Sequence, residues 1–139
     1  MADEEVLPLG EGSVDLVVSN LALHWVNDLP GAFTQIRHAL KPDGLFLCTL
    51  FGGETLRELR TALMEAETEV AGGVTPRVAP FVDVRDAGNL LTRAGFALPV
   101  ADAEVVTVTY ADMFKLMGDL RRMAQTNAVH ERARAPTRR

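Results

Sequence analysis

The residues best suited to chemistry fall in one short stretch, Ser19-Asn-Leu-Ala-Leu-His-Trp-Val-Asn-Asp28. The carboxamide of Asn20 can donate and accept hydrogen bonds, so it can hold a polar ligand from two sides. His24 can line a ligand pocket, or as a neutral imidazole needs only one partner to be an ordinary polar neighbour. Trp25 is the only tryptophan, and its flat face can close an apolar ligand pocket or serve as core packing. Other chemistries lack their residues. His24, His38 and His130 are far apart, without the spacing of a metal site, so no metal is expected. Gly-x-Ser-x-Gly is absent, which removes the nucleophile elbow of serine hydrolases. Gly10-Glu-Gly12 precedes a strand, whereas a phosphate or cofactor loop follows one. A single cysteine, Cys48, makes no internal disulfide, and its apolar surroundings predict a buried, inert thiol.

The elements that position this stretch can be read from hydrophobic period and helix-end signals. Val14-Asp-Leu-Val-Val-Ser19 is a short run rich in β-branched residues and predicts a strand buried on both faces. Asn27-Asp-Leu-Pro30 predicts a helix start, with Asp28 as cap and Pro30 in the first turn. Leu29, Phe33, Ile36 and Leu40 then recur at helical spacing. Lys41-Pro-Asp-Gly44 ends that helix in a turn, and Leu45–Phe51 predicts a second buried strand. Strand, helix and strand with short joints imply a parallel pair with a right-handed crossover. The fold class is therefore α/β. A long helix follows Gly52-Gly53, its stripe being Leu56, Leu59, Leu63 and Ala66, and Gly72-Gly73 stops it. Asp83 caps a short helix closed by Gly95. Phe96–Val100 and Glu104–Tyr110 read as two strands of an antiparallel edge hairpin. Asp112 opens a last helix that carries Phe114, Leu116, Met117, Leu120 and Met123.

In open α/β sheets, ligands bind beyond the carboxyl ends of the strands, which is where Asn20, His24 and Trp25 fall.

At 139 residues, 47% hydrophobic and 24% charged, the composition is that of a globular protein of one domain or less. No run approaches the ~18–20 apolar residues of a membrane helix, so no membrane span is expected. The acidic start reads against a basic signal peptide on this chain. Residues 1–120 carry 18 acidic and 8 basic side chains, whereas residues 121–139 carry six Arg and one Glu. The basic end has no aromatic residue for stacking on bases and the body repels phosphate, so nucleic acid is not expected as a partner.

Longer motifs carry a resemblance. Asp3-Glu-Glu-Val-Leu-Pro8, Val14-Asp-Leu-Val-Val-Ser-Asn20 and Leu40-Lys-Pro-Asp-Gly-Leu-Phe-Leu47 resemble the second half of the class I S-adenosylmethionine-dependent methyltransferase family. Four further segments narrow the likeness: Leu21–Pro30, Gly52–Arg60, Pro76–Asp86 and Arg93–Asp102. They are similar to the methyltransferase-like assembly factors of respiratory complex I and their bacterial relatives, and more distantly to malonyl-carrier-protein methyltransferases. The resemblance implies a Rossmann-like α/β fold and S-adenosylmethionine as cofactor. It implies that Asp3 meets the adenine amino group, Glu4 lies alongside the ring, and Asn20 and Leu21 sit near the methionine end. His24 and Trp25 then face the acceptor, a small molecule or a protein such as a complex I subunit. A class I domain opens with a strand and a Gly-x-Gly-x-Gly turn, and nothing like it precedes Asp3. Residues 1–128 are accordingly expected to be a partial methyltransferase domain without the glycine-rich half, binding the cofactor weakly alone, and residues 129–139 an unstructured basic tail. Methyl transfer is the function implied. Arginine hydroxylation on a complex I subunit and a non-catalytic interaction role are the alternatives. The compartment implied is the cytoplasm, or the mitochondrial matrix in a eukaryotic member. The acceptor and the oligomeric state stay open.

Overall fold

In the computed structural model the described residues are 6–71, 73 and 77–125. The elements run β1 (Val14–Asn20), a one-turn 3-10 helix (Leu23–Trp25), α1 (Leu29–Ala39), β2 (Leu40–Thr49), α2 (Arg57–Ala71), α3 (Val84–Arg93) and α4 (Met113–Arg122). They belong to two units. Met1–Thr55 with Phe81–Ala103 holds the sheet, α1 and α3, and Leu56–Pro80 with Glu104–Arg139 holds α2 and α4.

The first unit is built as the hydrophobic pattern predicts. β1 and β2 pair in parallel, with Leu16 opposite Leu45, Val18 opposite Leu47 and Asn20 opposite Thr49. The turn Lys41–Gly44 is looped out of the ladder between Leu40 and Leu45. Asp43 there takes φ +63°, a left-handed conformation that Asp tolerates. A Cβ on Gly44 would lie 2.9 Å from the Lys41 carbonyl oxygen, so the turn needs glycine.

One face of the sheet is covered. Leu23, Phe33, Ile36 and Leu40 form the buried centre, and Val17, Phe46, Cys48, Leu90, Leu91 and Phe96 pack against it. Phe33 is fully buried and meets the Phe46 ring edge-on at 5.7 Å. Burying such a ring contributes roughly 2–3 kcal/mol by transfer alone. The other face is not covered, which corrects the expectation of strands buried on both sides. Leu16, Val18, Leu45 and Leu47 are each 51–63% exposed. The apolar residues alternate in and out across the pleat, and no helix of this unit lies over the outward set.

Three helix starts fall where aspartates predict them. Asp28 accepts from the Gly31 amide at 2.9 Å, Asp83 from Arg85 at 2.8 Å and Asp112 from Lys115 at 3.0 Å. Each satisfies an amide that the helix itself leaves unpaired. Gly95 closes α3 at φ +90°.

Two expectations change. The long helix starts at Arg57, because residues 53–56 form turns and Leu56 sits at φ +56°. Phe96–Val100 and Glu104–Tyr110 form no strand, so the antiparallel hairpin is absent among the described residues. Alternating apolar residues can make a strand only beside a ladder partner. Here Leu98, Val100, Val105 and Val106 stand 76–91% exposed, without one. In the second unit, α2 carries Leu59 and Leu63 half-buried, as is Leu56 just before it, and Arg77 donates to Glu67.

Candidate functional site at the carboxyl edge of the sheet

The carboxyl ends of β1 and β2 lie side by side, and their last pair is Asn20 and Thr49. The Thr49 hydroxyl donates to Asn20 Oδ1 at 2.5 Å and accepts from the Leu21 amide at 3.2 Å. That amide also donates to the Thr49 carbonyl oxygen at 2.9 Å, making a three-centre bond. Leu21 takes φ +50°, a left-handed conformation that costs a branched residue about 1–2 kcal/mol. The turn reverses the chain directly after the strand and delivers the Leu23–Trp25 turn to the rim. Leu23 goes into the core at 4% exposure, while Trp25 keeps 37% of its surface in solvent.

His24 stands in an aromatic group drawn from three segments. Its ring lies 5.2 Å from Trp25, 4.6 Å from Phe51 and 6.0 Å from Phe81. Phe51 and Phe81 meet each other edge-on at 5.8 Å. Phe51 follows β2 and Phe81 precedes α3, and the Gly53 amide donates to the Val82 carbonyl at 3.0 Å to hold those loops together. The result is an apolar wall beside an exposed carboxamide. Such a rim can bind an organic ligand by its apolar surface and orient it by one or two polar contacts.

Of the residues singled out in the sequence, the structure brings together Asn20, Leu21, His24 and Trp25. Asp3 and Glu4 lie outside the described residues, as does His130. His38 is on the exposed side of α1. Sequence reasoning missed Thr49, Phe51 and Phe81. Thr49 had a signal, being the polar residue that ends the second apolar run as Asn20 ends the first. Phe81 had none, because only the fold brings it to the rim.

Cys48, half-buried one residue before Thr49, has its thiol pKa pushed up by burial, so it is protonated at neutral pH and is no nucleophile. Among the described residues no group of His, Cys, Asp or Glu is placed to hold a metal ion. No helix among them is long and apolar enough to cross a membrane.

The residues at this edge suit the methionine end of S-adenosylmethionine. Thr49 engages the carbonyl side of the Asn20 carboxamide, which leaves its donor side for a carboxylate or similar acceptor, and aromatic faces suit a cationic sulfonium.

Comparison with known proteins bears on the fold and on what the chain is similar to. Residues 1–48 match the model of a methyltransferase domain. The chain is 52% identical over 132 residues to the human protein named Arginine-hydroxylase NDUFAF5, mitochondrial, covering 95% of this chain and 38% of that one. It is 43% identical over 130 residues to malonyl-[acyl-carrier protein] O-methyltransferase of Xylella fastidiosa, covering 94% and 42%. It thus spans about two-fifths of the length of these relatives. A crystal structure of a methyltransferase of Thermotoga maritima superimposes with a TM-score of 0.52 at 23% identity, over 68% of this chain and 44% of that one, which speaks for the fold. The chain is thus similar in sequence to these proteins over part of their length and shares part of the α/β fold of an S-adenosylmethionine-dependent methyltransferase.

Proposed function

We propose that the chain works as an S-adenosylmethionine-dependent methyltransferase, with Asn20 and Leu21 at the methionine end of the cofactor and His24 and Trp25 on the acceptor side. The observation that carries this reading is that the Asn20–Thr49 pair ends the two parallel strands and that the segments leaving those ends carry His24 and Phe51, whose rings pack together with Phe81. Ligands bind at this edge in open α/β sheets. When bound, the cofactor supplies an electrophilic methyl group on a sulfonium, and transfer is an in-line displacement. The protein's work is then positioning and exclusion of water. Asn20 holds the polar end and Leu21 turns the chain away from it. The aromatic group keeps the reacting side dry, and Trp25 borders the opening through which an acceptor enters. Asp3 and Glu4 are assigned to the adenine on the same reading, Asp3 accepting from the exocyclic amine.

A second reading has its own support, the 52% identity to a relative named as an arginine hydroxylase. On that reading the same rim receives an arginine side chain of a complex I subunit, and one atom of dioxygen replaces the methyl group as what is added, the other leaving as water with two electrons from a reductant. The work is done in an aqueous compartment, the cytoplasm or, in a eukaryotic member, the mitochondrial matrix. Mass spectrometry of complex I subunits and malonyl-carrier protein incubated in air with this chain, S-adenosylmethionine and a two-electron reductant separates the readings. A gain of one CH2 unit is expected. A gain of one oxygen atom selects the second reading, and no gain on any acceptor contradicts both.

A further inference from the structure

We infer that Thr49 is the positioning residue of the rim: its hydroxyl locks the Asn20 carboxamide and the Leu21 turn in the one arrangement that presents both to the cofactor. The role of the rim rests on the function proposed above, whereas the lock itself rests on the geometry alone.

Three observations converge on it. Asn20 and Thr49 are the last register pair of the parallel ladder, so the two side chains start from adjacent, fixed backbone positions. The Thr49 hydroxyl has one hydrogen and uses it on Asn20 Oδ1 at 2.5 Å, which orients the carboxamide with its donor side away from Thr49. A lone pair of the same oxygen receives the Leu21 amide at 3.2 Å. Leu21 is the left-handed residue that turns the chain toward His24, at φ +50°, and such a conformation persists only where its surroundings hold it. One hydroxyl therefore orients a binding side chain and adds a second bond to the backbone turn, whose Leu21 amide also donates to the Thr49 carbonyl at 2.9 Å. A valine in its place keeps the β-branched shape that a strand prefers but offers neither bond. A serine keeps both.

The test uses the whole 139-residue chain, labelled with nitrogen-15, as wild type, Thr49→Val and Thr49→Ser. S-adenosylhomocysteine is the probe, followed by NMR titration. Thr49→Val is expected to weaken binding about tenfold, the effect of losing roughly 1.4 kcal/mol of hydrogen bonding, and Thr49→Ser to restore it to within about twofold. A second readout needs no ligand. In Thr49→Val the two side-chain amide signals of Asn20 are expected to shift as the carboxamide loses its fixed orientation, and the Leu21 amide, left with the Thr49 carbonyl alone, to shift by less, while amides of α1 stay dispersed. If the wild type binds no probe, the proposed function fails and these signals still decide the lock. Asn20 and Leu21 signals unchanged in Thr49→Val, or binding equal to wild type, would overturn the inference. A Thr49→Ser variant that behaves like Thr49→Val would also overturn it.

Discussion

The two faces of the β1–β2 sheet are made from the same kinds of residue and end differently. Phe46 and Val17 point into a cluster with Phe33, Ile36 and Leu90, whereas Leu45, Leu47, Leu16 and Val18 point outward and keep half or more of their surface in solvent. Composition does not distinguish them, since leucine and valine supply both. The difference comes from what lies across: α1 and α3 cover one face, and no helix of the same unit covers the other. An apolar strand states that a face is fit to be buried, and the covering element decides whether it is.

The contrast makes unequal demands on substitution. Phe33→Ala, on the covered side, should cost about 3–5 kcal/mol, read as a fall in the urea midpoint, because a fully buried ring leaves a cavity that the sheet cannot fill. A loss below about 1 kcal/mol would show that the covered face is loosely packed. Asp28→Ala should cost about 1 kcal/mol, since it removes the cap of α1, the helix that does the covering. Leu47→Ser, on the open face, should cost less than about 1 kcal/mol. If it costs as much as Phe33→Ala, the outward face is covered in solution and the contrast collapses.

The smallest effect is in pH. Cys48 lies on the covered side, and burial raises its pKa above the value of 9.0 for an unperturbed thiol. The unfolded chain therefore loses the thiol proton first. The stability this contributes is fully present below about pH 9.0 and is lost as pH rises through the folded-state value. Urea melts on either side of pH 9.0 should show a decline that Cys48→Ala lacks, and equal declines in the two proteins would contradict the burial of the thiol.

Much of the first unit was legible because its signals are local. Asp28, Asp83 and Asp112 cap helices with their own side chains, and Gly95 closes one with its own backbone. The spacing of Leu29, Phe33, Ile36 and Leu40 set the buried face of α1. What failed was non-local. Phe96–Val100 and Glu104–Tyr110 have strand composition, and a strand also needs a neighbour that composition does not supply. The start of α2 was misplaced by four residues because Leu56, an ordinary helix former, occupies a left-handed position instead. At the rim, Asn20, His24 and Trp25 were readable because they follow a strand in one continuous stretch. Phe81 reaches His24 from 57 residues further along, by a route set only by the fold. The long motifs carried the family resemblance that single residues did not.

The central claim is that the carboxyl edge of the sheet binds the cofactor. Titrating S-adenosylhomocysteine into the nitrogen-15-labelled chain tests it most directly, because every amide of the first unit reports separately. Saturable shifts are predicted at Asn20, Leu21, His24 and the Trp25 indole, with little change at Lys41–Gly44 at the opposite end of the strands. Shifts centred on Lys41–Gly44, or none at Asn20 and Leu21 at saturating probe, would contradict the account.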